Sequence, residues 1–135
     1  VIQHIGKVAE YLVLAELIKK DVEAYSAISF HQEHYDITVI RSDKTISRIQ
    51  VKATELQNKS TNNPVSNLNK VFDYLVLVVF DGLISSYYVM TKAEVEAEFA
   101  SGKPGTMYTS KMAGGKYVVK DAIAQYENLW LKITG

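Results

Sequence analysis

The sequence predicts an α/β (α+β) fold in which helices flank a mixed β-sheet of about five strands. Three observations lead there. An opening segment rich in helix formers ends on Lys19-Lys20, basic side chains suited to the negative end of a helix. Several strand-like runs then follow, separated by polar turns. One of them, Tyr74-Leu75-Val76-Leu77-Val78-Val79-Phe80, is apolar without interruption, the pattern of a central strand buried on both faces.

The first helix is expected from Ile2 to about Lys20, and a strand from Glu23 to Phe30. Tyr35 to Arg41 and Thr45 to Ala53 read as two hairpin strands joined through the polar stretch Arg41-Ser42-Asp43-Lys44-Thr45,. The polar run from Gln57 to Asn67 is expected to be a loop, placed by its position to contact substrate,. After the apolar strand, Asp81-Gly82 predicts a turn and Leu83 to Met90 a returning strand. Thr91 is a candidate cap for a helix from Lys92 to about Ala100, with Glu94 at the capping-box position,. Ser101-Gly102-Lys103-Pro104-Gly105 is expected to end that helix. Weak β signal follows at Met107 to Met112 and at Tyr117-Val118-Val119, and a last helix is expected from Asp121 through Tyr126 and Trp130.

Bulk properties narrow the function. At 135 residues, the chain is expected to form one domain, residues 1–135, with a substantial core,. The longest apolar run, Tyr74 to Phe80, is far short of a membrane span,. The opening residues lead into a helix with Glu10 rather than an apolar leader, so a cytoplasmic protein without a membrane partner is expected,. Cysteine is absent, which excludes disulfides, thiolate metal sites and a Cys nucleophile,. There is no P-loop, no Gly-x-Gly-x-x-Gly and no Gly-x-Ser-x-Gly,. Fifteen basic and fifteen acidic residues give zero net charge, but the charges are segregated. Arg41 to Lys70 carries +4, and Lys103 to Lys120 carries +4 with no acid, while Glu94, Glu96 and Glu98 cluster elsewhere. Such a field suits a phosphate backbone on one side, although a charge run is also the ordinary look of a solvated surface.

The candidate chemistry lies on the hairpin. In Ile49-Gln50-Val51-Lys52-Ala53 the apolar residues alternate with polar ones, so Gln50 and Lys52 share the face opposite Ile49, Val51 and Ala53,. Asp36 precedes Gln50 by thirteen intervening residues, a gap that suits adjacent hairpin strands. Such a hairpin brings a carboxylate, an amide oxygen and an ammonium together, the chemistry of Mg²⁺-dependent phosphodiester cleavage. On the helix, Glu10 shares a face with Gly6, Val13, Leu14 and Leu17, and a Glu on an apolar stripe calls for a partner, either a metal or Lys52.

Asp36…Gln50-Val51-Lys52, preceded by Gly6-Lys7-Val8-Ala9-Glu10 on a helix, resembles the signature of the PD-(D/E)xK nuclease superfamily, in its restriction-endonuclease and Holliday-junction-resolvase branches. The resemblance covers roughly the first eighty residues. It implies a restriction-endonuclease-like sheet with an αβββαβ-type core and a metal-dependent endonuclease acting on duplex or branched DNA. It further implies Mg²⁺, with Mn²⁺ able to substitute, held by Asp36, Gln50, the Val51 carbonyl and Glu10. Lys52 would stabilise charge developing on the phosphoryl group or orient the attacking water, and a homodimer would cut both strands. The chain departs from the pattern at Tyr35, where the family name has Pro, and at Gln50, where a carboxylate is usual. A Gln carbonyl oxygen still ligates a hard cation but brings no charge. A non-catalytic nucleic-acid-binding or regulatory module on the same fold therefore stands as the alternative.

Each residue also has a plainer reading. Asp36 alone would pass for a turn residue, Gln50 and Lys52 for exposed strand residues, and Glu10 for half of a salt bridge. Glu16, beside Lys19 and Lys20, reads as a solvated surface residue. His31-x-x-His34 has no further ligands to make it a metal signature, and Tyr87, Tyr88 and Tyr108 suit packing as well as base stacking,.

Overall fold

The computed structural model describes residues 2–27, 34–58 and 63–135. Helix α1 (Ile5–Lys19) buries Ala9, Val13 and Leu17, one residue per turn,. It starts later than the expected Ile2 because Ile2 N donates to Glu55 Oε1 (2.9 Å), which holds the first residues against a strand. It ends in a Schellman arrangement: Asp21 lies at φ 62°, while Val22 N donates to Leu17 O and Asp21 N to Ile18 O,.

The main sheet has strands β1 (Glu23–Ser26), β2 (Ile37–Ile40), β3 (Ile46–Glu55), β5 (Tyr74–Asp81) and β6 (Ile84–Thr91), with β4 (Pro64–Val65) lying outside it. Its order is β1-β2-β3-β5-β6. Only β3 and β5 pair in parallel, so this is the mixed five-stranded sheet that the sequence predicts. The end of the strand expected to reach Phe30, together with His31 and part of the Gln57–Asn67 loop, falls outside the described residues. The β2–β3 hairpin closes where expected: Asp43 accepts from both Thr45 N (2.9 Å) and Thr45 Oγ1 (2.6 Å). The β5–β6 turn places Gly82 at φ 63°, a conformation that glycine adopts without steric cost.

Two cores lie on the two faces of the sheet. Val76, Val78 and Phe80 face α1 with Ile37, Val39, Ile49 and Val51. Leu75, Leu77 and Val79 pack with Leu68, Phe72, Val95, Met107 and Ile123. The crossover from β3 to β5 contains β4 and, among the described residues, no helix, so it departs locally from the αβββαβ order. It covers the second face itself, through Leu68 and Phe72.

Helix α2 (Lys92–Ala97) has the expected capping box between Thr91 and Glu94. It stops before Ala100 because Phe99–Ala100 forms strand β7, pairing with β8 (Lys103–Tyr108). Lys103-Pro104-Gly105, expected as a terminator, is thus strand. Strands β9 (Ser110–Ala113) and β10 (Lys116–Val119) form a separate hairpin over Gly114 (φ 58°) and Gly115 (φ 78°), which suits a primed two-residue turn. The last helix is broken into α3 (Asp121–Ala124) and α4 (Leu131–Thr134). Between them, Tyr126 O and Asn128 N bond to Val89 N and Tyr87 O on β6, so pairing with the sheet edge replaces helix continuation,. No helix among the described residues is long and apolar enough to cross a membrane.

Candidate functional site

The β2–β3 register sets the site. Ile37 pairs with Ile49, and Asp36 N donates to Ile49 O (2.8 Å), which brings Asp36 beside Gln50 at the mouth of the hairpin. Asp36 Oδ2 accepts from Val51 N (2.7 Å) and from Gln50 Nε2 (2.9 Å). Gln50 Nε2 also donates to Val51 O (3.2 Å). One amide nitrogen therefore bridges a carboxylate and a backbone carbonyl, two of the oxygens that the resemblance assigns to a cation.

The other end of that amide is unsatisfied. Gln50 is 6% exposed, and its Oε1 is buried without a hydrogen-bond partner. Leaving a buried acceptor unpaired costs about 1–3 kcal/mol. Asn63 Oδ1 is the other such side-chain oxygen among the described residues, but its amide nitrogen bridges neutral acceptors, Leu56 O and Ser110 Oγ. At Gln50 the amide nitrogen instead binds an anion, Asp36. Rotating the amide would aim Oε1 at Asp36 and Val51 O, an arrangement of three oxygens that a hard cation stabilises.

Electrostatics agree with an incomplete polar site. Burial pushes the Asp36 carboxyl above its ordinary range, opposed by the Val51 N–H and by the charges of Lys52, Lys7 and Lys70. Burial also pushes Lys52 down, as does the nearby Lys70 ammonium, while Asp36 acts in the opposite direction. Lys52 lies on β3 next to Leu77 of β5, and among the described residues its ammonium forms no ion pair.

Glu10 joins from α1. It lines an open cleft of about 410 Å³ with Lys7, Tyr11, Ser26, Ala27, Tyr35 and Asp36. Its pKa is raised by burial and by the Asp36 charge, against the pull of Lys7. Its partner is Lys7, one turn away at 3.6 Å, rather than Lys52. The buried stripe of α1 is Ala9-Val13-Leu17, so Glu10 sits beside the apolar face and stays half-exposed. Glu16 is the surface residue expected, accepting from Lys19 (3.2 Å) and Lys20 (2.9 Å). Among the described residues there is no group of three or more His, Asp or Glu side chains placed to hold a metal. A cation here would depend on two carboxylates supplemented by neutral oxygens.

Sequence reasoning missed Lys7 and Lys70. Lys7 had a local signal, standing three residues before Glu10. Lys70 was visible only as the end of a basic run, because the crossover from β3 to β5 is what returns it to the site.

The same architecture occurs in a solved structure. The bacterial homing endonuclease I-Ssp6803I superposes with a TM-score of 0.68 over 98% of this chain and 91% of that one, at 16% sequence identity. The chain shares its fold with an endonuclease. No family profile matches the sequence, and no curated protein sequence matches it.

Proposed function

We propose that this protein is a metal-dependent DNA endonuclease of the PD-(D/E)xK type, with Gln50 in the place of the usual second carboxylate. The observation that carries the reading is the Gln50 amide, which is buried between Asp36 and Val51 O with its own oxygen unpartnered. Mg²⁺, or Mn²⁺ in its place, would be held by Asp36, Gln50 Oε1 and the Val51 carbonyl, with Glu10 completing the set directly or through water. The chemistry such an ion supplies is Lewis-acid neutralisation of charge on the phosphoryl oxygens.

The chain's own residues do the rest. Lys52 offers an unpaired ammonium to the negative charge that develops on the phosphoryl group, an electrostatic contribution strengthened by partial burial,. Asp36 fixes the strand geometry by accepting the Val51 N–H and keeps its second oxygen for a ligand. The cleft lined by Glu10, Tyr11 and Tyr35 gives a substrate access to Asp36. Two copies, each cutting one strand, would cleave a duplex. The resemblance to an endonuclease fold supports DNA as the substrate.

A second reading, a non-catalytic nucleic-acid-binding or regulatory module, has one observation in its favour. Gln50 Nε2 already satisfies Asp36 without an ion. Cleavage assays on supercoiled, linear, branched and single-stranded DNA with Mg²⁺ or Mn²⁺, comparing wild type with Lys52→Ala, separate the two readings. Metal-dependent nicking that disappears in the variant supports the nuclease. DNA binding with no cleavage of any form supports the module.

A further inference from the structure

We propose that Lys70 is a second cationic contact for the phosphodiester backbone beside Lys52, and that His34 holds the segment carrying it in place. The inference rests on the nuclease reading and extends it to how the substrate backbone is gripped. Lys70 lies in the crossover just before β5, and three contacts set that segment's position. Val71 N donates to His34 Nδ1 (2.9 Å), and His34 lies two residues before Asp36. Lys92 Nζ donates to Lys70 O and sits over the Phe72 ring, 4.1 Å from its centroid. Asp73 accepts from Arg48 N (2.7 Å) at the start of the paired strands. The chain from His34 to Asp36 and the chain from Lys70 to Asp73 are therefore held against each other at the site's edge.

The Lys70 side chain is half-buried and forms no ion pair among the described residues. Its charge acts on both Lys52 and Asp36. Lys52 and Lys70, two ammonium groups without ion-pair partners among the described residues, thus act on each other, and Asp36 is the carboxylate that acts on Lys52. Like charges in partly buried surroundings repel, and the ligand that relieves them is an anion bridging both. A phosphodiester has the charge and the two non-bridging oxygens needed to do so. His34 acts as a positioning residue, because its ring nitrogen accepts a backbone N–H and its role is to orient the segment.

The test is duplex DNA affinity against KCl concentration, with Ca²⁺ replacing Mg²⁺ so that binding is read without cleavage. The variants are Lys70→Gln, Lys70→Arg, His34→Ala and His34→Asn, with Lys19→Gln as a surface control. Wild-type binding, with Lys70→Gln weaker by roughly fivefold and its salt slope shallower by about 0.9, is the expected result. Lys70→Arg and Lys19→Gln should stay near wild type. His34→Ala should follow Lys70→Gln part of the way, and His34→Asn, which retains an acceptor, should recover some of the loss. If wild type binds DNA and Lys70→Gln matches it in affinity and slope, the Lys70 inference is wrong while the nuclease reading stands. If wild type neither binds nor cuts DNA, both fall.

Discussion

Two polar sites lie close together on strand β3, one at Arg48 and the other at Gln50 and Lys52, and they are built in opposite ways. At the first, both oxygens of Asp73 have partners: Oδ2 accepts from Arg48 N at 2.7 Å and Arg48 Nε at 3.1 Å, and Oδ1 from Arg48 Nη2 at 3.1 Å. Burial pushes its carboxyl up, but the hydrogen bonds and charge of Arg48 outweigh that and leave it below its ordinary range. At the second site Asp36 is pushed up, Lys52 is pushed down, and Gln50 Oε1 has no partner. The first site fastens the start of β3 to the start of β5. The second leaves a buried amide and a half-buried ammonium short of partners, which costs stability unless a ligand supplies them. The contrast separates a polar group whose partners are supplied by the fold from one whose partners are missing, as the proposed ligand site requires.

The sharpest way to break the contrast is to remove one group from each site. Lys52→Ala should lower DNA cleavage by about 10²–10³-fold, a loss typical of removing one transition-state contact, with thermal stability unchanged or higher. A variant that cuts like wild type would remove Lys52 from the chemistry. Gln50→Glu should tighten divalent-metal binding by roughly tenfold, about 1.4 kcal/mol, as read by calorimetry. Without metal the same variant should melt lower than wild type, because a second carboxylate beside Asp36 is repelled by it.

Effects at the fold-serving site should appear in stability alone. Asp73→Ala should cost about 1–2 kcal/mol in urea unfolding, at the low end for charge-assisted bonds because the pair is partly exposed,. The Asp73 pKa is depressed, so its stabilisation is present above the unfolded-state pKa and disappears as pH falls through the folded value. The difference between variant and wild type should therefore shrink in acid. Asp36→Asn should have the opposite sign. The Asp36 pKa is raised, so its charge costs stability at neutral pH, and that cost fades as pH falls. In metal-free buffer the variant should melt about 2–5 °C higher at pH 7 and converge on wild type in acid. An Asp36→Asn protein that melts lower would mean that Asp36, like Asp73, serves the fold.

Much of this arrangement was legible from strand periodicity. Alternation in Ile49-Gln50-Val51-Lys52 separates the core-facing residues from Gln50 and Lys52, and the Ile37–Ile49 register accounts for the distance back to Asp36. The partner of Glu10 was misread because one helical turn upstream Lys7 is already available. The ends of the helices at Phe99 and Tyr126 were not legible, since strand pairing with Met107 and β6 decides them from a distance. Lys70 was hidden for a similar reason. Its approach to Lys52 depends on the parallel crossover, and nothing in its immediate sequence signals that return.

The central claim is that Asp36 and Gln50 form an oxygen site for a divalent cation, and Mn²⁺ titration followed by electron paramagnetic resonance tests it most directly. Wild type should bind Mn²⁺ saturably and be competed by Mg²⁺, and Asp36→Asn should lose that binding while remaining folded. Wild type without saturable binding, or Asp36→Asn binding as wild type does, would contradict the account.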